Sequence, residues 1–223
     1  MTPPDWRRQG HLTPDAPEAQ RELWALGARL RGHLALTLSE LSQRSAEPSW
    51  SASLTEGAER ARELSLALSE EAGEEARLVV ADDPVYGEFE QALEEVLGSG
   101  HVPSLVVTGY AVLGELARAP FVLLDEVAGP HAGLLCGRLL SCQEHHVLGR
   151  LAPILHLDDA SCRRLLRHLN TGLHQTFRSW SQTLHTLGVD GELLVDQSRE
   201  AASRALTELG LKASRADLGV FAV

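Results

Sequence analysis

Apolar residues recur along this chain at three- and four-residue steps, the spacing of helix faces. From Pro17 to Arg44, the positions Leu23, Leu26, Leu30, Leu34, Leu38 and Leu41 draw one stripe of a long helix. The stretch SAEPSWSA interrupts it. Ser53-Leu54-Thr55-Glu56 then has the form of a capping box, so a second helix is expected from there to about residue 80, on the stripe Leu54, Ala58, Ala61, Ser65, Leu68, Ala72 and Val79. Asp83-Pro84 opens a short helix to Leu97, closed by Gly98-Ser99-Gly100. Val102-Pro103 starts a third long helix, apolar on nearly every side, which Pro120 should kink or restart. After Gly129-Pro130, a fourth long helix is expected from His131 to about Leu151. Pro153 and Asp158-Asp159 end it and cap another, whose stripe Cys162, Leu165, Leu169, Leu173, Phe177, Trp180, Leu184 and Leu187 runs to Gly188; residues 192–209 form a weaker last helix.

No segment alternates with period two for long enough to make a strand. The expected class is all-α: four long helices with helical additions, packed as a bundle. Residues 1–16, rich in proline and polar groups, read as a loose arm, 17–155 as the bundle, and 156–223 as a C-terminal helical extension packed on it.

Composition agrees with helix, since aromatic residues are 4% of the chain. Charge changes the picture more. The net charge is −11, and Glu40 to Glu95 holds the whole excess, with 15 acids against four arginines. Such a stripe repels phosphate backbones, which argues against nucleic-acid partners and reads as a solvated helix face. Three cysteines, Cys136, Cys142 and Cys162, without framework spacing suggest reduced thiols. The N-terminus has no signal-peptide apolar core. Val102 to Leu124 contains Glu115, Arg118 and Pro120, which suits a buried core helix better than a membrane span. The expectation is a cytoplasmic protein without a membrane partner.

The chemistry is expected in the dry hairpin of the third and fourth helices. Glu115 stands amid VVTGYAVLGELARAPFVLL, where an unpaired carboxylate costs several kcal/mol. Arg118, three residues on, offers an ion pair; a metal ion is the alternative. Tyr110, five residues before Glu115, should point away from it on an α-helix. Cys142, His145 and His146 share one turn, with His131 on nearly the same face, a cluster suited to zinc or copper that still needs ligands from elsewhere. Arg163, Arg164, Arg167 and His168 read as a solvated face, and Phe177 and Trp180 as core. Glycine-rich phosphate loops, Gly-x-Ser-x-Gly and Cys-x-x-Cys are absent from the sequence.

The stretch Gln143-Glu144-His145-His146-Val147-Leu148-Gly149 resembles the fourth-helix motif of ferritin-like proteins, in particular the di-iron oxygenase and hydroxylase branch, with His146, Val147 and Gly149 in register. Glu115 stands where the preceding helix's glutamate is expected, and the helix succession is similar across roughly 17–155. The resemblance implies a ferritin-like four-helix bundle with additional C-terminal helices. It also implies iron, or manganese, held by Glu115 and His146, with His33 or Glu40, Glu71 or Glu74, and Gln143 or Glu144 completing the shell, for dioxygen chemistry on an unnamed substrate. The chain departs from that pattern at Gln143, which takes the place of a ligand glutamate, and no Asp or Glu stands three residues before any His. A single-metal site, or a metal-free bundle that assembles with itself or with a partner subunit, therefore stands beside the di-iron reading.

Overall fold

The computed structural model describes residues 16–211 except 129–132 and 156. The expected N-terminal arm, apart from Ala16, and His131 lie outside the described residues. Within them every regular element is helical, with no strand, so the all-α expectation holds.

Helix α1, Ala16–Arg44, is the axis of the fold. Its leucine stripe is buried to 3% exposure or less, and Trp24, Ala25, Ala28 and Ala35 bury neighbouring faces too. Each leucine so buried stabilises the fold by about 1.5–3 kcal/mol relative to an exposed one. Helix α2, Pro48–Asp82, folds back along α1 in the most extensive helix pair of the molecule. It starts six residues earlier than the capping-box pattern implied, with Glu47 rather than Ser53 at the N-cap. Pro48 serves as the first helical residue, where a missing amide costs nothing, and Ser53 lies inside the helix, donating to the Ser49 carbonyl. Gly73, at φ 78°, breaks α2 into two stretches.

Helix α3, Pro84–Ser99, starts as expected: the Asp83 carboxylate accepts from the amides of Val85 and Tyr86. Asp83 also accepts from the Trp180 indole and the Ser179 hydroxyl. The expected helix 160–187 is interrupted at that tie. It divides into α8, Asp159–Ser179, and α9, Ser181–Thr186, with Trp180 out of helical geometry between them.

The apolar third helix begins as α4, Val102–Val107, winds as a π-helix over Thr108–Glu115, tightens to a 3-10 turn at Leu116–Arg118, and restarts as α5, Ala119–Ala128. The restart just before Pro120 agrees with the missing amide; the π segment has no counterpart in the sequence pattern. The stretch Val102–Glu126 is long and apolar enough to cross a membrane, but 83% of an 18-residue apolar window in it is buried inside the protein.

The expected fourth helix is also in two pieces: α6, Gly133–Ser141, and α7, His146–Leu151, joined by a turn at 142–145. Helix α10, Gly191–Glu208, is capped by Asp190 and lies along the π segment and α5. The π segment is thereby enclosed by α1, α7, α8 and α10, and residues from all of them share one apolar core.

Candidate metal centre

The π segment places its own polar groups on one side. Hydrogen bonding from i to i+5 winds the chain more slowly than an α-helix, so residues five apart come round to neighbouring positions. Tyr110 and Glu115 are five apart. Contrary to the α-helical expectation, both meet His145 at the end of the 142–145 turn and His146 at the start of α7. The Tyr110 ring lies 5.5 Å from that of His145 and 6.0 Å from that of His146, centre to centre.

His145 Nε2 is 2.8 Å from Glu115 Oε1, and the two imidazole rings stand 4.5 Å apart. Glu115, His145 and His146 each offer a ligand atom, all within 4.8 Å of one another; among the described residues they are the one such group of three or more. His145 is fully buried and the Glu115 side chain is 11% exposed. This closeness requires Gly114. A Cβ there would lie 2.5 Å from His145 Cδ2 and 2.7 Å from its Cβ, so the ring rests directly on the backbone of the π segment.

The electrostatics define the protonation states. Burial alone would raise the Glu115 carboxyl, but the hydrogen bond from His145 and the charges of His145, Arg118 and Arg204 outweigh it and hold the group below the usual carboxylate range. Burial is also the largest influence on His145 and lowers it; His146 and Arg31 act in the same direction, against Glu115. At neutral pH the pair is a neutral imidazole donating Nε2–H to an ionised carboxylate, the tautomer following from the acceptor it faces. His145 Nδ1 then carries a lone pair, buried and without a hydrogen-bond partner.

Arginines surround the pair. Arg204 of α10 is 3.7 Å from Glu115 Oε2 and also faces Glu200 at 3.9 Å. Arg118 does not close on Glu115 in the expected ion pair: it donates to the Leu140 carbonyl. Arg31 of α1, 3% exposed, reaches the Leu139 carbonyl at 3.4 Å while its Nη1 has no partner. Burial lowers its pKa to about 10, partly countered by Cys142 and Glu144. Tyr110 Oη donates to Glu208 of α10; burial, then that bond, pushes the phenol up.

The remaining sequence candidates divide. His146 stays with Glu115, whereas Glu144 packs against Gly57 of α2. Glu144, in the turn, has one buried oxygen without a partner and helps push the Cys142 thiol up to about 11, after burial. Gln143 is exposed in the same turn. Together with Arg60, Cys142 and Arg150, these three residues line an open cleft of about 460 Å³ against the first half of α2. The cleft brings solvent to His146. The others belong elsewhere. Glu40 pairs with Arg44 at 2.6 Å. His33 faces Glu90 at 3.1 Å, where Arg29 and Tyr86 also bind. Glu71 and Glu74 are exposed beside the Gly73 break. Sequence reasoning pointed Tyr110 away from Glu115 and passed over Arg31, Arg204 and Glu208, because the π winding and the packing of α10 carry no local signal.

The donor set decides what fits. Metal bonds of about 2.0–2.2 Å set tetrahedral donors about 3.4 Å apart and facial ones about 3.0 Å apart, so ligand atoms at the 4.8 Å limit need to close by roughly 1.4–1.8 Å. Two imidazoles, one with a free buried lone pair, and one carboxylate suit a single ion of the iron, zinc or copper type. They do not suit two irons: no second carboxylate joins the group, and the α1 side chain close by is the cationic Arg31. No protein-family model matches the chain, and no curated protein matches it in sequence.

Proposed function

We propose that this chain is a metal-binding helical bundle of the ferritin-like kind, in which Glu115, His145 and His146 hold a single divalent ion. The observation that carries the reading is the convergence of these three ligand atoms within 4.8 Å on the enclosed π segment. π-turns inside helices recur at functional sites because they re-aim side chains, and here the re-aiming packs Tyr110 against both imidazoles. Two histidines with one carboxylate are also the donor set of non-haem iron(II) oxygenases, so iron is the ion of choice and an oxygenase or hydroxylase relative the narrower reading, in the cytoplasm. Bound iron(II) would supply dioxygen activation. The chain's own residues do the rest. His145 and the surrounding apolar side chains keep water from the inner face, Tyr110 fixes the planes of the imidazoles, and the cleft beside His146 admits a small molecule from solvent.

A second reading is a metal-free bundle acting as an assembly subunit. Its support is that His145 and Arg204 already face both oxygens of Glu115, leaving its charge matched without an ion. Elemental analysis of protein purified without chelators or a histidine tag separates the two. About one iron per chain, lost in both Glu115→Gln and His146→Ala, is expected. Well-folded protein that holds no metal and takes up no ferrous iron would leave the assembly reading.

A further inference from the structure

We infer that the metal centre is coupled to the C-terminal helix α10 through Arg204, so that loading the ion loosens the end of that helix. The inference rests on the metal reading above. Arg204 reaches Glu115 from α10 and places a guanidinium 3.7 Å from Oε2, the oxygen that His145 does not face, of the only carboxylate in the trio. A divalent ion on Glu115 would bring two positive charges against that guanidinium. Arg204 has an alternative partner: Glu200, one turn back on its own helix, stands 3.9 Å away. It can therefore exchange Glu115 for Glu200 without losing a carboxylate, while α10 loses a tie to the π segment.

The apolar seam of α10 makes the tie matter. Over its last three turns the buried residues are Ser198, Ala201, Ala202, Ala205 and Leu206, four of them small, so the helix itself offers little apolar area at this end, where Leu206 and, just past it, Leu209 and Leu211 are the main apolar anchors. The second polar tie, from Tyr110 to Glu208, starts from a ring packed on both histidines and is exposed to any shift of theirs. Because Arg204 opposes the ion only while α10 is docked, the ion has different affinities for the docked and loosened states, which coupling requires. By reciprocity, whatever holds α10 down weakens metal binding. The centre then works as a metal-responsive switch whose output is the C-terminal helix.

The test uses the full chain and zinc(II), a redox-silent ion for imidazole and carboxylate ligands. Affinity is measured by calorimetry for the wild type, Arg204→Gln and Arg204→Lys. Arg204 is half exposed, so neither variant threatens folding. Arg204→Gln should bind about ten-fold tighter, the repulsion between a divalent ion and a unit charge roughly 6 Å away in a water-like dielectric. Arg204→Lys, which keeps the charge, should stay near the wild type. Amide hydrogen exchange over 198–208 should quicken on zinc addition in the wild type. In Arg204→Gln it should be fast already and change little. Zinc binding with equal affinity in all three proteins, or with unchanged exchange in α10, overturns the switch and leaves the metal centre standing. No zinc binding by either the wild type or Arg204→Gln overturns the metal reading, and the switch with it.

Discussion

Gly114→Ala tests the core of the site without touching a candidate ligand. In an ordinary helix interior, alanine in place of glycine stabilises by about 1 kcal/mol through backbone entropy. Gly137, exposed in α6 with open space where its Cβ would be, should show that gain. At Gly114 the added methyl meets three atoms of His145, two of them at 2.5 and 2.7 Å. Ordinary contact begins near 3.4 Å, so the ring must retreat by nearly 1 Å. It is fully buried and hemmed by Tyr110 and His146. Overpacking of this kind costs about 1–3 kcal/mol. The same movement stretches the 2.8 Å bond to Glu115 beyond hydrogen-bond range, and a bond to a charged group contributes about 1.5–3 kcal/mol. With the entropic gain set against these, Gly114→Ala should lose about 1.5–5 kcal/mol and Gly137→Ala should gain up to about 1 kcal/mol. Urea denaturation followed by circular dichroism measures both. A Gly114→Ala protein as stable as Gly137→Ala would refute the contact between His145 and the π backbone, and with it the geometry of the trio.

Two further predictions concern the electrostatics. Stability should fall as the pH drops below about 6.5. Burial disfavours protonation of His145, and also of His174, where Arg178 adds to the effect; the unfolded chain therefore binds more protons in this window, and lower pH favours it. Further loss is expected below about 4.5, where Glu115 and Glu90, both held below their usual range, lose their charge. In His145→Gln the slope between pH 6.5 and 5 should be shallower, and an undiminished slope in urea titrations would count against a neutral, buried His145. Glu90→Gln should cost about 1–2 kcal/mol, discounted for partial exposure, because Glu90 ties α3 to Arg29 at 2.8 Å and to His33 at 3.1 Å on α1. That corresponds to a melting temperature lower by roughly 2–8 °C; an unchanged melting temperature would show that the tie contributes nothing.

Much of the architecture was legible because it is local. The leucine stripe of α1 has helical spacing, and spacing alone determines which face is apolar. Asp83, Asp158 and Gly188 act within three residues of their own positions, so α3 and α8 begin, and α9 ends, close to where the pattern places them. Glu115 and His146 were legible as isolated polar groups in apolar surroundings. What tertiary structure decided was which groups meet. The π winding rotates Tyr110 onto the face of Glu115, an outcome that residue types at 3.6-residue spacing do not encode. The turn at 142–145 presents His145, not His146, to Glu115, because the ring needs the bare backbone of Gly114, thirty-one positions away. The tie from Asp83 to Trp180 divides one amphipathic stripe into two helices. Arg204 and Glu208 enter the site only because α10 docks across the π segment. Periodicity and caps are short-range properties of the chain, whereas a site enclosed by α1, α7, α8 and α10 exists only once those helices have packed.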